Sequence, residues 1–359
     1  MNTLQTYLSS AKSKTADAGL VVMGNEAADL DSMASSIAYG YLCTLQNPDT
    51  PALPVMPIPR ADFHLRTEAV FVFKEAGINL DDLVFLDEVD LDGLMNGAGL
   101  VLVDHNVLTP GLEKFSNKVV GILDHHNDEG LFPEADPRII QTIGSCTSLV
   151  AREFIARGIT ISSEVAILLC GTILLDTVNL DDKAGRVTDA DKEIAAKLLP
   201  LCPLSQQEYF DQVQLEKFNV QGLSTNDLLR KDYKEWTLGQ TQCGISSALL
   251  PLKEWAQMDD ALAAGFAAFT KDRGLNLLLS MNAFTDPGFN RDLAIFCQTE
   301  EEHDKLLGYL QENGLDLKPL ELAGQKQGET GFVGFFSQGN LGISRKKMQP
   351  LLAAYFAEK

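Results

Sequence analysis

The chain contains 359 residues, 45% of them hydrophobic, which is enough for two domains that each bury a core. Its formal net charge of -21 argues against nucleic acid or an anionic membrane as a partner, because both bind basic surfaces. No apolar run is long enough to span a membrane, and residues 1–19 lack both the apolar block of a secretory signal and the arginines of an organelle-targeting segment. The six cysteines are dispersed without a CxxC pair, as in proteins that keep their thiols reduced, so we expect a cytoplasmic protein.

The first half of the chain alternates short apolar runs with segments of helical periodicity. An amphipathic helix is predicted at the N-terminus, a second after Asp31 and a third over residues 66–77. The predicted strands cover residues 20–25, 51–58, 83–89, 99–106 and 118–126. Nearly unbroken apolar runs such as GLVLV are typical of strands covered on both faces. The pattern predicts an α/β fold with a doubly wound parallel sheet, in which ligands bind beyond the carboxyl ends of the strands.

The second half predicts a smaller α/β domain. Its expected strands are residues 241–248, 274–284, 291–299 and 332–338, with helices over 252–270 and 300–313. A final helix is expected to begin at Ser344, which would cap it. We therefore expect an N-terminal domain over residues 1–205, an interdomain helix and linker over 206–228, and a C-terminal domain over 229–359.

Polar side chains follow the apolar runs of the first domain. Asn25 follows the first run, and the segments 104–106 (DHN) and 124–126 (DHH) follow two others. Asp176 closes an apolar helical run that begins near Val165. Taken singly, each residue has an ordinary structural explanation as a turn, a helix cap or a core histidine. Taken together, they predict one site, because three of the five histidines of the chain fall at these strand ends.

The chemistry of this set favours divalent cations. Several carboxylates with one or two imidazoles and an amide suit Mn²⁺, Mg²⁺ or Co²⁺ better than structural zinc, which favours thiolate and imidazole sites. Converging aspartates would repel one another unless cations neutralised them. A pair of ions can activate a water and hold the attacked and leaving oxygens of a phosphoryl group. The sequence thus predicts a two-metal site in which Asp29 and Asp31 face different ions, although either residue could instead simply cap the helix.

The same segments resemble a known family. GNEAADLDS, LVDHN, LDHH and LLDT, in this order, resemble the four motifs of the DHH phosphoesterase superfamily. GSCTSLV from Gly144, DYK from Asp232 and SRKK from Ser344 resemble the branch that contains family II inorganic pyrophosphatases, prune proteins and eukaryotic exopolyphosphatases. Family II pyrophosphatases have His where this chain has Asn25, and prune proteins have different second and third motifs. The combination found here resembles fungal-type exopolyphosphatases most.

The resemblance implies a role for each matched residue. Asn25, Asp29 and Asp104 would surround one metal, and the second would be held by Asp31, Asp104, His125 and Asp176. Asp104 would then bridge the two ions. His126 is similar to the histidine that faces the phosphate, with Asp124 orienting an imidazole. His105 would either support the site or touch the phosphate.

The C-terminal motifs carry the cations that a polyanionic substrate requires. Residues 1–205 contain 14 Lys and Arg against 29 Asp and Glu, whereas the remainder contains 15 against 21. Cations in the first turn of a helix oppose its dipole, but a bound anion reverses that penalty. The resemblance implies phosphate binding by Arg345, Lys346 and Lys234. A solvated basic turn is the structural alternative for the three adjacent cations, with Lys347 facing solvent.

We therefore expect an exopolyphosphatase that removes terminal orthophosphate from inorganic polyphosphate. The expected substrate is polyphosphate or another short phosphoanhydride, and a monomer with no nucleic-acid or membrane partner is expected. The alternatives are an inorganic pyrophosphatase, a prune-like nucleotide phosphodiesterase, and a DHH nuclease, which the acidic charge disfavours. A catalytically inactive protein that binds metal or polyphosphate is the alternative from a different functional class.

Overall fold

A computed structural model describes residues 3–285, 288–322 and 331–357. The chain divides into two compact units, residues 1–219 and 220–359. Within the described residues, no helix has both the length and the apolar character that crossing a bilayer requires.

The first unit contains a six-stranded parallel sheet, as the apolar runs predicted. The strand order is β3-β2-β1-β4-β5-β6. The strands are β1 (Leu20–Met23), β2 (Ala52–Met56), β3 (Val84–Phe85), β4 (Gly99–Val103), β5 (Val119–Asp124) and β6 (Arg138–Ile140). The helices are α1 (Leu4–Ser13), α2 (Leu30–Gln46), α3 (Arg60–Phe63), α4 (Thr67–Glu75), α5 (Leu91–Gly97), α6 (Cys146–Ala156), α7 (Ser163–Asp176), α8 (Asp189–Leu198) and α9 (Gln206–Lys217).

The topology determines where a ligand can bind in this unit. The chain steps outward from β1 to β3 and then returns to β4 on the other side of β1, so the strand order reverses between β1 and β4. A crevice opens beyond the carboxyl ends of the strands at such a reversal. Helix α7 is apolar on all sides and buried from Val165 to Leu175, and it brings its last residue, Asp176, out of the core. The polar residues that follow β1 and β4 therefore flank the reversal.

The second unit contains a mixed six-stranded sheet of order β11-β12-β10-β9-β8-β7. Only β8 and β9 pair in parallel; the other neighbours are antiparallel. The strands are β7 (Tyr233–Leu238), β8 (Thr241–Ala248), β9 (Leu277–Phe284), β10 (Asn290–Cys297), β11 (Leu317–Pro319) and β12 (Phe332–Gln338). The helices are α10 (Thr225–Lys231), α11 (Leu252–Met258), α12 (Leu262–Asp272), α13 (Glu300–Glu312) and α14 (Arg345–Ala357).

Several local features differ from the sequence-based prediction. The helix expected over residues 252–270 is two helices, because the chain becomes extended at Asp259, whose carboxylate accepts a hydrogen bond from the Ala261 amide. Strands β6, β7 and β11 were not predicted. Strand β7 is a sheet edge with only exposed or half-buried residues, so it lacks an apolar run. Strands β6 and β11 have three residues each, too few to show a pattern.

The segment predicted as an interdomain helix and linker, residues 206–228, contains helix α9 and the start of helix α10. Helix α9 packs on α4 and α7 of the first unit, and α10 packs on β8 and α12 of the second. The predicted bounds 1–205, 206–228 and 229–359 stay a proposal.

Candidate metal centre

The strand ends of the first unit meet at a cleft of about 360 Å³. Asn25 lies two residues after β1, Asp104 directly follows β4, and Asp124 ends β5. Residues from all three segments line the cleft: Asn25, Asp104, His105, Asn106, Val107, Asp124, His126, Asn127 and Glu129. The strand-end residues singled out in the sequence are thus close together in space.

Asp104 lies at the centre of the cluster. Its φ of 62° places a non-glycine residue in the left-handed region, a strained conformation that costs on the order of 1–3 kcal/mol and often occurs at functional sites. The Asp104 Oδ2 accepts hydrogen bonds from Asn25 Nδ2 at 2.7 Å and from Ser32 Oγ at 2.6 Å. Its Oδ1 lies 3.0 Å from His125 Nε2 and 3.7 Å from His126 Nδ1. The carboxylate is buried and held from several sides.

Asp31 is fixed by the start of helix α6. Its carboxylate accepts hydrogen bonds from Ser145 Oγ at 2.9 Å, from the Cys146 amide at 2.6 Å and from the Thr147 amide at 2.9 Å. The Oδ2 atom lies 3.7 Å from His125 Nε2. Burial, followed by the charge of Asp104, raises the pKa of Asp31. The carboxylate is therefore preorganised but electrostatically costly when no cation is near.

The two histidines after β5 are oriented by different partners. His125 Nδ1 contacts the Ile143 carbonyl at 2.9 Å, which leaves Nε2 facing the carboxylates. His126 Nδ1 lies 2.8 Å from Asp124 Oδ1, and the His126 side chain is 57% exposed. Burial opposes the charged form of His125, but the hydrogen bond to Asp104 and the charge of Asp31 raise its pKa to about 10. The hydrogen bond that His126 Nδ1 donates to Asp124 likewise raises the pKa of His126.

Asp176 provides a test of whether a cation fits here. Its Oδ2 atom is buried and lacks a hydrogen-bond partner among the described residues. Burial and the charges of Asp31 and Asp29 raise its pKa well above the ordinary range. A buried carboxylate oxygen without a hydrogen-bond partner is rare unless it coordinates a metal. The ligand atoms of Asp104, His125 and His126 also lie within 4.8 Å of one another. This set of carboxylates and imidazoles therefore fits divalent cations.

Asp29 and His105 have structural roles at the edge of this cluster. Asp29 is exposed and caps helix α2, since its Oδ1 accepts a hydrogen bond from the Ser32 amide at 3.0 Å. The helix-cap explanation is thus correct for Asp29, although its charge also acts on Asp176. His105 is half-buried in the cleft wall, with Nδ1 2.9 Å from the Val103 carbonyl. Its burial lowers its pKa, which favours the neutral imidazole.

In the second unit, the DYK and SRKK motifs meet. Arg345 Nη1 lies 2.7 Å from Asp232 Oδ1 and donates to the Asp232 carbonyl at 3.0 Å. Lys234, two residues further along β7, is exposed, and so is Lys346 in the first turn of α14. Helix α14 begins at Arg345, and the Ser344 carbonyl accepts hydrogen bonds from the amides of Lys347 and Met348, as expected of a residue at the helix start.

Some residues that shape the centre were given no role in the sequence-based prediction. Ser32 and Asn106 stand inside the recognised motifs, and they donate hydrogen bonds to Asp104 and Asp124, respectively. Asp191 is fully buried and accepts hydrogen bonds from the Gly144 amide at 2.8 Å and from Ser148 Oγ at 2.7 Å. It thereby anchors both ends of the segment that holds Asp31. No sequence pattern links Asp191 to Gly144, whereas the position of Ser32 next to Asp31 could have suggested its role.

Comparison with known proteins agrees with the motifs. The model of the DHH family N-terminal domain matches residues 19–173, and the DHHA2 domain model matches residues 211–355. Exopolyphosphatase PRUNE1 of Rattus norvegicus is 35% identical over 346 residues, covering 92% of this chain and 74% of that protein. A putative exopolyphosphatase of Schizosaccharomyces pombe is 33% identical over 352 residues, covering 92% of this chain and 89% of that protein.

More distant proteins share the fold. A probable manganese-dependent inorganic pyrophosphatase of Clostridium acetobutylicum is 21% identical over 268 residues, covering 72% of this chain and 80% of that protein. The crystal structure of a putative family II inorganic pyrophosphatase of Methanococcus jannaschii matches with a TM-score of 0.52 and 20% identity, covering 94% of this chain and 99% of that one. Matches to both domain models, together with relatives above 30% identity over most of their length, confirm the resemblance: the chain belongs to the DHH family, with a DHHA2 domain following its DHH domain.

Proposed function

We propose that the protein is an exopolyphosphatase that hydrolyses the terminal phosphoanhydride bond of inorganic polyphosphate and releases orthophosphate. The observation that carries this proposal is the convergence of Asp31 and Asp104 on His125, next to a buried Asp176 on which the charges of both carboxylates act and whose Oδ2 lacks a hydrogen-bond partner among the described residues. A cation-binding cluster of this composition suits phosphoryl transfer. The names of the relatives at 33–35% identity specify the substrate class.

We infer that two divalent cations, Mn²⁺, Mg²⁺ or Co²⁺, bind in the centre. Asn25, Asp29 and Asp104 would hold one ion, and Asp31, Asp104, His125 and Asp176 would hold the other. When bound, such a pair polarises phosphoryl oxygens and makes water acidic enough to supply a nucleophile at neutral pH. In support, oxygen and imidazole donors suit these ions, and a distant relative is named as manganese-dependent.

The protein's own residues contribute orientation and proton control. The Ser145, Cys146 and Thr147 donors fix Asp31, and the Ile143 carbonyl fixes the ring of His125. Preorganisation of this kind avoids reorganisation at the moment of reaction.

His126 is the group we assign to the phosphate. It lines the cleft, and its Nδ1 donates a hydrogen bond to Asp124, which favours the charged imidazolium. The ring can therefore donate a hydrogen bond or a proton to a phosphate oxygen. Asp124 itself is held by the Asn106 amide and by the backbone amides of His125 and His126. Neutral His105 would line the same cleft as a hydrogen-bonding group.

Substrate binding would use the cations of the second unit. Arg345 presents a planar guanidinium that can form two parallel hydrogen bonds to phosphate, and Lys346 and Lys234 add point charges. Arg345 has only one carboxylate partner in the described residues, Asp232, whose side chain is 54% exposed. Because solvent reaches the Asp232 carboxylate, this pair contributes little and can be exchanged for a phosphate contact.

Pyrophosphate hydrolysis is the second candidate, because relatives at 21–22% identity carry the name of inorganic pyrophosphatase. The same cation cluster could serve either phosphoanhydride. Family II pyrophosphatases have a His where this chain has Asn25, and because an amide oxygen binds borderline metals less strongly, this difference favours tolerance of Mg²⁺.

A substrate panel tests the proposal. Purified protein with added Mn²⁺, Mg²⁺ or Co²⁺ is given long-chain polyphosphate, pyrophosphate, a cyclic nucleotide and single-stranded DNA. We expect the highest kcat/KM on long-chain polyphosphate. Faster turnover of pyrophosphate would identify a pyrophosphatase, and binding of polyphosphate without phosphate release would identify an inactive binding protein.

We also infer a monomer that works in the cytoplasm. In support of the cytoplasm, none of the six cysteines, all of which lie in the described residues, forms a disulfide, and four of them are buried, which is typical of a reducing compartment. Size-exclusion chromatography with light scattering and cell fractionation test the two inferences.

A further inference from the structure

Arg291, at the start of β10, is a cation without an assigned role. In the described parts of the chain it has no carboxylate partner, although the protein carries a net charge of -21. Its Nε donates to the Leu341 carbonyl at 3.0 Å, and its guanidinium carbon lies 5.0 Å from the centroid of the Phe289 ring. The side chain is half-buried, so it is held in place while part of it stays accessible.

The strand register places Arg291 on the same face of the sheet as Lys234. Arg291 is two residues from Leu293 in β10, and alternate residues of a strand share a face. Lys234 is paired with Ile245 of β8 and therefore shares its face. Ile245, Leu293 and Met348 of helix α14 lie in one hydrophobic core. Arg291, Lys234 and helix α14 are thus on one side of the sheet.

The topology also places Arg291 and Lys234 at the same end of the sheet. Strands β8 and β9 end there, and β7 and the antiparallel strand β10 begin there. Leu341, which accepts the Arg291 hydrogen bond, is four residues before Arg345 in the loop that leads into α14. Four residues span at most roughly 14 Å. Arg291 is therefore separated from the SRKK motif by a short stretch of surface.

We propose that Arg291 is an additional phosphate-binding residue that holds a distal phosphate of a polyphosphate chain whose terminal part is bound by Arg345, Lys346 and Lys234. This inference rests on the proposed function and specifies its substrate preference. The distance from Lys234 across the sheet is three strand spacings, about 14 Å, before any offset along the strands. A pyrophosphate cannot bridge that distance, whereas a chain of many phosphates can. Arg291 thus makes the protein prefer long chains over short ones.

The chemistry of the side chain matches this role. A guanidinium offers several N–H donors in a planar fork, and one of them is already used by the Leu341 carbonyl. The remaining donors can contact two oxygens of one phosphate unit. Because the ring of Phe289 and the carbonyl of Leu341 restrict the side chain, little conformational entropy is lost on binding.

The test compares Arg291→Gln with the wild type on long-chain polyphosphate and on tripolyphosphate, with Mn²⁺ present. We expect kcat/KM to fall about tenfold on the long chain, mostly through KM, and less than about twofold on tripolyphosphate. Arg291→Lys should give an intermediate loss, because it keeps the charge and loses the fork. Lys271→Gln, an equal charge change in the last turn of helix α12, should leave both substrates unaffected.

Equal losses on the two substrates, or no loss on the long chain, would overturn the proposal. Thermal unfolding of each variant identifies a folding defect. If Arg291→Gln has such a defect, Arg291→Lys is compared with the wild type instead. If the wild-type protein releases no phosphate from either substrate, the proposed function fails, and Arg291 is then judged by calorimetric binding of the same two ligands. A weaker affinity of Arg291→Gln for the long chain alone would still support its role as a distal phosphate site.

Discussion

The metal centre of the first unit and the basic surface of the second unit are organised in opposite ways. Asp31 and Asp104 are buried, and each is held by several hydrogen bonds. Lys234 and Lys346 are exposed. Fixed anions in a poorly solvated site interact strongly with cations, whereas exposed lysines act in water, where each charge contributes little. We therefore expect the chemistry to depend on the first unit and the choice of substrate to depend on the second.

Asp104→Asn tests the first part of this contrast. The substitution keeps the shape of the side chain but removes the charge that Asn25, Ser32 and His125 surround. We expect kcat to fall at least about a thousandfold and bound Mn²⁺ to be lost, because the substitution removes the carboxylate that we propose as the shared ligand of two ions. Steady-state kinetics and elemental analysis measure the two effects.

The matched control is Asp92→Asn, whose side chain is 69% exposed and pairs only with Lys114 among the described residues. It should behave as the wild type does. A kcat within tenfold of wild type in Asp104→Asn would show that Asp104 is not a shared ligand.

Arg345→Gln tests the second part. Loss of the fork should raise KM about tenfold to a hundredfold on polyphosphate, with a smaller change in kcat, because binding rather than metal chemistry is affected. Lys347→Gln is the control, since Lys347 is exposed in the same helical turn. If the two variants have the same KM, the basic turn is an ordinary solvated surface.

The two regions also differed in how far the sequence could predict them. Unbroken apolar runs such as GLVLV predicted the parallel sheet, and its topology brought Asp104 and His125 together, as expected of residues at strand ends. The edge strand β7 was missed because its side chains are half-buried or exposed and leave no apolar pattern. Short strands and sheet edges depend on their neighbours, which the local sequence does not specify.

The contacts that support the site were harder to predict than its ligands. The sequence offered two explanations for Asp29, and the structure shows the helix cap, while its role as a metal ligand stays a proposal. Asp191 accepts a hydrogen bond from the amide of Gly144, which lies 47 residues away in the sequence, so only the tertiary fold reveals this contact. Every residue except proline has a backbone amide, so a hydrogen bond from that amide does not restrict the residue type at its position. Such a supporting contact therefore cannot be predicted from a single sequence.

Asp191→Asn tests that supporting layer. The Asp191 carboxylate accepts hydrogen bonds from Gly144, Ser148 and Thr188, and an Asn amide has only one oxygen to accept them. The segment that holds Asp31 should therefore shift. We expect Mn²⁺ affinity to fall about tenfold, as for other residues that position metal ligands. Isothermal titration measures it. Asp189→Asn in the same helix, with a side chain that is 99% exposed, should bind Mn²⁺ as the wild type does, and equal affinity in the two variants would remove Asp191 from the site.

Asp176→Asn separates two effects of the acidic cluster, its destabilisation of the metal-free protein and its proposed binding of metal. In metal-free protein the buried carboxylate of Asp176, whose Oδ2 atom lacks a hydrogen-bond partner among the described residues, opposes folding, and a neutral amide removes much of the repulsion from Asp31 and Asp29. The substitution removes this charge, and because a shift of one pKa unit corresponds to about 1.4 kcal/mol, we expect a Tm about 2–6 °C above wild type in the presence of a chelator. With Mn²⁺ the order should reverse, because only the wild type gains the full binding energy of the ions. Differential scanning calorimetry in both conditions decides the outcome.

The control is Asp182→Asn, whose side chain is 76% exposed. If Asp176→Asn keeps a higher Tm than the wild type after addition of Mn²⁺, Asp176 does not bind metal.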